Sequence, residues 1–289
     1  MPTVVDALAA VADGDWATAA VTARLAAAQA PDSRLATALA QFLTGMSAPG
    51  VYDEPSAFEA FIDNGGNVEL YAQTIRRLGA IHADVRPRSV LDIGCGDGRV
   101  TAAASTASTT RVDLVEPSAE LIARAIAALD RPGVEVVAHQ ADAARFLADL
   151  DDGAAWDLVQ STFALHATKP GDRAAIARAL AQRTPRLAVV EFDVPAFADR
   201  SVEHIAYLAD RYETGIREYE DHPEVVSGFL LPVLVGQLDA ALPRYTFEQP
   251  IDEWTRLLRD AGFVTTTQLV ARYWWADAVL ISATSELES

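Results

Sequence analysis

The chain has 289 residues, enough for one large domain or two modest ones and for a sizeable core without disulfide or metal staples. At 51% hydrophobic and 22% charged residues the composition is that of a folded globular protein. The 23 basic residues against 41 acidic ones leave a net charge of −18, which repels phosphate backbones and anionic lipid and argues against nucleic acid or a membrane surface as partner.

Lys169 is the only lysine, placed beside Pro170 in a predicted loop, so Schiff-base chemistry has almost nowhere to reside. Cys95 is the only cysteine, which removes intrachain disulfides and thiolate clusters and is compatible with a reducing compartment. No apolar run approaches the roughly 18 residues of a membrane span, and the first residues carry no basic-then-apolar leader. A cytoplasmic protein is expected.

Residues 1–48 are Ala-rich, with Val5, Leu8, Val11, Val21, Leu25, Leu35 and Leu39 at helical spacing and Pro31 and Gly45 as punctuation. They predict two or three short helices, a helical extension over 1–50 that caps the protein or pairs with a second copy as a homodimer. From Val51 to Ala83 the pattern reads helix, turn, helix, broken by Asp63-Asn64-Gly65-Gly66-Asn67, and Pro87 ends helical order.

Apolar strands then alternate with amphipathic helices, the sign of βαβ units in a parallel sheet. The strands fall at Ser89 to Ile93, Arg111 to Glu116, Val134 to Ala138, Trp156 to Ser161 and Leu187 to Phe192. The helices lie near Gly98 to Ser105, Ala119 to Leu129, Ala143 to Leu147 and Asp172 to Gln182. Residues 195–250 break the repeat with a helical, aromatic and acidic stretch that reads as a lid over substrate. A helix from Asp252 to Ala261, ended by Gly262, and strands Phe263 to Ala271 and Arg272 to Ala283 close the chain as an antiparallel pair over 251–289. The expected architecture is a doubly wound α/β sheet over 51–194 completed by that pair.

The chemistry-bearing stretch is Asp92-Ile93-Gly94-Cys95-Gly96-Asp97-Gly98-Arg99, where an apolar strand runs through glycines into a helix and the backbone can approach a ligand closely. A dinucleotide fingerprint needs its third glycine where Arg99 stands, which argues against a nicotinamide oxidoreductase, and Asp92 suits a cationic ligand better than a pyrophosphate.

Asp92 through Gly98 resembles the first motif of the class I S-adenosylmethionine-dependent methyltransferases: an acid, one apolar residue, then G-x-G-x-G. The resemblance runs from about residue 67 to 195 and, more loosely, from 251 to 283. It implies S-adenosylmethionine as cofactor, with Asp92 near its amino group and Gly94, Cys95, Gly96 and Gly98 against its methionine and ribose parts. Glu116, with Pro117 behind it, ends the second strand where the family places its ribose acid; interaction with the dipole of the helix at Ala119 is the plainer alternative. Asp142 and Ala143 match the family's adenine contact, against a simple helix cap for Asp142. Gln160 and Ser161 are expected to flank the methionine part through their backbone, and Asn67 and Tyr71 to close over the cofactor, against a plain surface helix.

Methyl transfer aligns a nucleophile in line with a sulfonium and, where needed, removes a proton. His166, just past the fourth strand in Ala164-Leu165-His166, is the candidate base, with a packing role as the alternative. Glu191 and Asp193 end the fifth strand at the same rim and could hold an amine or hydroxyl, or serve as caps. Tyr207, Tyr212 and Phe229, interleaved with acids, suit a partly apolar small molecule and equally suit an amphipathic helix. His204 and His222 lack metal-ligand spacing, so no metal is expected.

The function expected is methylation of a small molecule, oxygen slightly favoured over nitrogen or carbon. The alternatives are a protein of this fold that binds the cofactor without transferring methyl, and a peptide or protein carboxyl methyltransferase, whose substrate an acidic groove would repel.

Overall fold

Parallel strands joined by right-handed helical crossovers gain helices on both faces when the chain winds outward first to one edge of the sheet and then to the other, as the first five strands do here. The computed structural model describes residues 1–45, 55–151, 153–242 and 244–285. The domain boundary expected at 50/51 and the last four residues of the closing segment lie outside the described residues. The described chain divides into two compact units, Met1–Val68 with Ala196–Thr246, and Glu69–Pro195 with Phe247–Ser289.

The second unit is built on a seven-stranded sheet in the order β3-β2-β1-β4-β5-β7-β6. Its strands are β1 Ser89–Ile93, β2 Arg111–Val115, β3 Glu135–His139, β4 Leu158–Thr162, β5 Arg186–Phe192, β6 Phe263–Ala271 and β7 Ala278–Ser285. The first five run parallel, and β7 pairs antiparallel with β5 and with β6. This is the doubly wound, Rossmann-like α/β sheet with an antiparallel close that the sequence predicts.

Helices α5 (Asn67–Val85), α6 (Arg99–Ala104) and α7 (Ala119–Leu129) cover one face, with Leu70, Leu78, Val100, Ala125 and Leu129 against Leu158, Val190, Val112 and Leu114. Helices α8 (Ala143–Ala148), α9 (Pro170–Ala181) and α13 (Ile251–Asp260) cover the other, where Phe146, Ile176, Leu180, Trp254 and Leu258 pack on Leu91, Val159 and Val189. The last strand starts at Ala278, six residues later than expected, because its partner β5 ends at Phe192, opposite Ala278. Residues Arg272 to Asp277 form the turn instead. Likewise β4 begins at Leu158, opposite Val90, while the Trp156 indole donates to Asp113.

The first unit is helical: α1 Val4–Ala12, α2 Trp16–Gln29, α3 Arg34–Gly45, α4 Pro55–Asp63, α10 Val202–Glu218, and a continuous run of α11 Pro223–Val225, a π turn Val226–Leu230 and α12 Leu231–Leu238. Pro232 has no N–H for the carbonyl of Gly228, which accounts for the wide turn there. Three N-terminal helices are present, the upper end of the expected number. They pack with the late segment: Trp16 donates to Asp239 at 2.9 Å, and Glu213 of α10 accepts from the amides of Arg34 and Leu35 and from Ser33 Oγ at the start of α3.

Candidate active site

Parallel strands end together, so the carboxyl ends of β1, β2, β4 and β5 form one rim of the second unit. At the end of β1 the amides of Gly94 and Cys95 both donate to the Val115 carbonyl, at 2.8 and 3.2 Å, tying the glycine loop to β2. Gly94 has φ +71° and a Cβ there would sit 2.2 Å from the Ala164 Cβ; Gly98, at φ +77°, would place one 2.8 Å from the Ala125 backbone. Neither position admits a side chain. A Cβ at Gly96 would meet nothing within 4 Å, so the loop is open on that side.

Glu116, buried at the end of β2, accepts from the Gly96 amide at 3.2 Å and the Ser118 amide at 2.9 Å. Burial pushes its carboxyl above the ordinary value, and the two amides offset part of that. The carboxylate still has acceptor capacity for the paired hydroxyls of a ribose. Cys95 is buried in the loop, which pushes its thiol well up and leaves no nucleophilic thiolate.

Asp92 is 2% exposed. Its Oδ2 accepts from Thr101 Oγ1, and its Oδ1 has no hydrogen-bond partner. Burial raises the carboxyl to about 6, against the hydrogen bonds from Thr101 and Gln160 and with Glu116 adding to the rise. A buried acceptor left open beside a glycine cradle and a second carboxylate is the acceptor set that suits a cationic, ribose-bearing ligand. S-adenosylmethionine fits it.

The other expected cofactor residues lie on several elements. Gln160 and Ser161 are fully buried, and the Ser161 hydroxyl donates to the Ile93 carbonyl at 2.8 Å, under the loop. Pro117 is exposed, and its carbonyl accepts from Gln140. Asp142 Oδ1 accepts from the Arg145 amide at 2.8 Å and so caps α8, whose first residue is Ala143. Tyr71 lies edge-on to Phe163 with the Arg99 guanidinium 5.9 Å from its ring centroid. Asn67 belongs to the first unit, where its amide donates to the Phe61 carbonyl and the Tyr219 hydroxyl at 2.7 and 2.9 Å.

At the ends of β4 and β5 the structure brings His166 and Glu191 together. Glu191, 1% exposed, accepts from His166 Nδ1 at 2.8 Å and from its backbone amide at 3.0 Å. Nδ1 carries the proton and Nε2 keeps its lone pair. Burial opposes protonation of this imidazole, but the charge and hydrogen bond of Glu191, with Glu248 beyond, outweigh it, so its pKa lies above the ordinary value. Asp193 is exposed, and its Oδ1 accepts from the Ile251 amide at the start of α13.

Tyr207, Tyr212 and Phe229 all lie in the first unit. Tyr207 is half-buried against Phe197, Tyr212 is buried inside α10 packing, and Phe229 stacks on Phe61 at 4.3 Å.

Three contributors carry no sequence motif. Arg173 is buried, stacks over Trp254 at 4.5 Å and donates to the carbonyls of Thr168, His166 and Phe247, which fixes the His166 turn. Phe163, Phe192 and Tyr273 form a stack beside His166, with centroids 4.6 and 5.7 Å apart. Thr101 and His82 stand behind Asp92. Only Arg173, the one charge on the apolar face of α9, offered any signal in advance.

Residues 90–186 match the family model described as a methyltransferase domain. Those residues form a methyltransferase domain. Solved structures of similar fold include magnesium protoporphyrin IX methyltransferase from Synechocystis with bound S-adenosylhomocysteine, at 15% identity and TM-score 0.53 over 81% of this chain and 96% of that one. The same enzyme with bound S-adenosylmethionine gives 14% and 0.51 over 83% and 100%. An O-methyltransferase family protein from Burkholderia thailandensis gives 16% and 0.54 over 85% of this chain and 62% of that one. No curated protein sequence matches this chain. Among the described residues no helix is long and apolar enough to cross a membrane.

Proposed function

We propose that the protein methylates a small-molecule acceptor at oxygen, with His166 taking the acceptor's proton. When bound, the cofactor supplies a methyl group on a sulfonium, open to in-line displacement. Asp92 would hold its ammonium group, Glu116 its ribose hydroxyls, the amides and open side of the Gly94 to Gly98 loop its methionine portion, and the Asp142 to Ala143 turn its adenine.

The observation that carries the reading is the His166–Glu191 pair. A carboxylate that accepts twice from one histidine fixes ring orientation and tautomer, leaving a basic Nε2 on a side chain 13% exposed. Such a base has its use with a hydroxyl acceptor, whose oxygen becomes nucleophilic as its proton leaves; a carboxylate needs no such help. The Phe163–Phe192–Tyr273 stack beside it offers apolar area for a small molecule. The net charge of −18 disfavours nucleic acid and carboxylate-rich substrates alike.

The test is a screen of hydroxylated small molecules with labelled S-adenosylmethionine, reading methyl gain by mass spectrometry, followed by His166→Gln. A hydroxyl substrate whose kcat falls about a thousandfold in the variant, with cofactor affinity unchanged, supports the reading. Transfer that survives the substitution would remove His166 as base. Because the imidazole must be neutral to act and its pKa is raised, kcat/KM should climb with pH through a midpoint above 6.5, and Glu191→Gln should move that midpoint down.

A further inference from the structure

Behind the glycine loop runs a line of four buried polar side chains on four elements. His82, near the end of α5, is 0% exposed and places Nε2 2.9 Å from Gln160 Oε1. Gln160, in β4 and 0% exposed, donates through Nε2 to Thr101 Oγ1 at 2.8 Å. Thr101, 0% exposed in α6, donates to Asp92 Oδ2.

The donors are ordered. The Gln160 amide turns its oxygen to His82, so His82 must donate and its proton sits on Nε2; its Nδ1, buried without a partner, is a bare lone pair. Because the Thr101 oxygen accepts the hydrogen bond from the Gln160 N–H, its own hydrogen is left to be donated to Asp92. Every link therefore points its donor toward Asp92, and the carboxylate can only accept. A buried chain with a single polarity is worth more than its separate pairs, because each bond polarises the next.

We infer that Thr101, Gln160 and His82 are positioning residues for the cofactor, a proton-directed relay that keeps Asp92 ionised and its Oδ1 turned out for the ligand's ammonium group. The inference rests on the reading that Asp92 holds that group. Without the relay, burial of Asp92 beside Glu116 would favour its neutral form, which has little attraction for a cation.

Charged and titratable groups act on both ends of the chain. The Glu116 carboxylate at the end of β2 opposes a negative charge on Asp92, and burial, with the charges of Asp92, Glu116 and Asp97 adding to it, holds Cys95 as a thiol. Arg131, beyond α7, adds to burial in disfavouring a proton on His82 Nδ1, and the bond that His82 donates to Gln160 does not overcome them. The relay thus starts from a neutral imidazole and ends on a carboxylate.

The experiment is S-adenosylmethionine titration calorimetry from pH 5.5 to 8.5 on the wild type, Thr101→Val, Thr101→Ser and Asp92→Asn, with thermal unfolding as the check on folding. Comparing each variant with wild type at the same pH cancels the ligand's own titration. If loss of the hydroxyl raises Asp92 by about two units, Thr101→Val binds about tenfold weaker at pH 7 and less than twofold weaker at pH 8.5, and Thr101→Ser restores wild-type binding. A deficit that is the same at every pH, or no deficit, overturns the relay. Asp92→Asn separates the two layers: if it binds as wild type does, the ammonium assignment itself has failed, whereas loss there with Thr101→Val unaffected sinks the relay alone. Nitrogen-15 imidazole spectra of the wild type give an independent reading, expected to show His82 neutral with its proton on Nε2 across this range; an Nδ1 proton or a charged ring would overturn the inference even if Thr101→Val does not fold.

Discussion

The two compact units use carboxylates in opposite ways. In the helical unit, Glu213 accepts from two backbone amides, the Ser33 hydroxyl and Arg217, which outweigh burial and hold its carboxyl below the ordinary value. Glu218 likewise accepts from the Gly66 amide, and Asp239 from the Trp16 indole and the Ala241 amide. In the sheet unit, Asp92 keeps an oxygen with no partner, and both Asp92 and Glu116 lie above their ordinary values. A carboxylate surrounded by donors stabilises the fold and has little left for a ligand. One held short of donors costs stability, and what it lacks describes what it binds.

The largest effect expected on this contrast is at Glu116. Charge-assisted hydrogen bonds to ribose contribute roughly 1.5 to 3 kcal/mol each, so Glu116→Ala should weaken S-adenosylmethionine binding about a hundredfold by titration calorimetry. A change of less than about threefold would place the ribose elsewhere.

Asp92→Asn should sharpen the contrast by moving affinity and stability in opposite directions. The folded-state value, about 6, lies above the ordinary 3.8, so the wild type loses stability as pH rises through that window. The full shift corresponds to roughly 3 kcal/mol, and allowing for relaxation the ligand-free variant should be about 2 kcal/mol more stable at pH 8, with the gain vanishing near pH 4. Urea unfolding at the two pH values measures it. Equal or lower stability of the variant at pH 8 would mean that Asp92 is better satisfied than its geometry indicates.

How far each unit could be read from sequence follows from the same difference. The sheet unit was legible because periodicity and glycine spacing are local: Asp92 through Gly98 announce the loop, and strand β1 was placed to the residue. Strands β2, β3 and β5 differ from expectation by one residue at one or both ends, and β4 and β7 by more, because their limits are set by where a distant partner strand ends. The relay behind Asp92 was illegible for a similar reason, since His82, Thr101 and Gln160 come together only through the crossover connections. In the helical unit, single helices could be read from Ala-rich periodicity and caps. That residues 1–45 and 196–246 pack together could not, because what joins them is Glu213 capping a helix some 180 positions away in the chain, and no local pattern marks a capping acid that far off.

That long-range cap supplies the next prediction in size. Glu213→Gln keeps the shape of the side chain but turns an acceptor of several donors into a half-donor, and it should destabilise the protein by about 1 kcal/mol at pH 7. Since the folded-state value is depressed, the stabilisation is present above the unfolded value of 4.5 and disappears as pH falls through the folded one. Urea midpoints of wild type and variant should therefore converge in acid, and a constant gap would point to packing and not charge.

The smallest effect belongs to a cap that is purely local. Thr3 Oγ1 accepts from the Asp6 amide while Asp6 accepts from the Thr3 amide, closing a reciprocal box at the start of α1. Both residues are exposed, so water can replace what is removed, and Thr3→Ala should lower stability by only about 0.5 kcal/mol with no change in cofactor affinity. A loss as large as that of Glu213→Gln would mean that α1 unravels beyond its first turn. The helical unit would then depend on its N-terminal helix more than on the bond between its two chain segments.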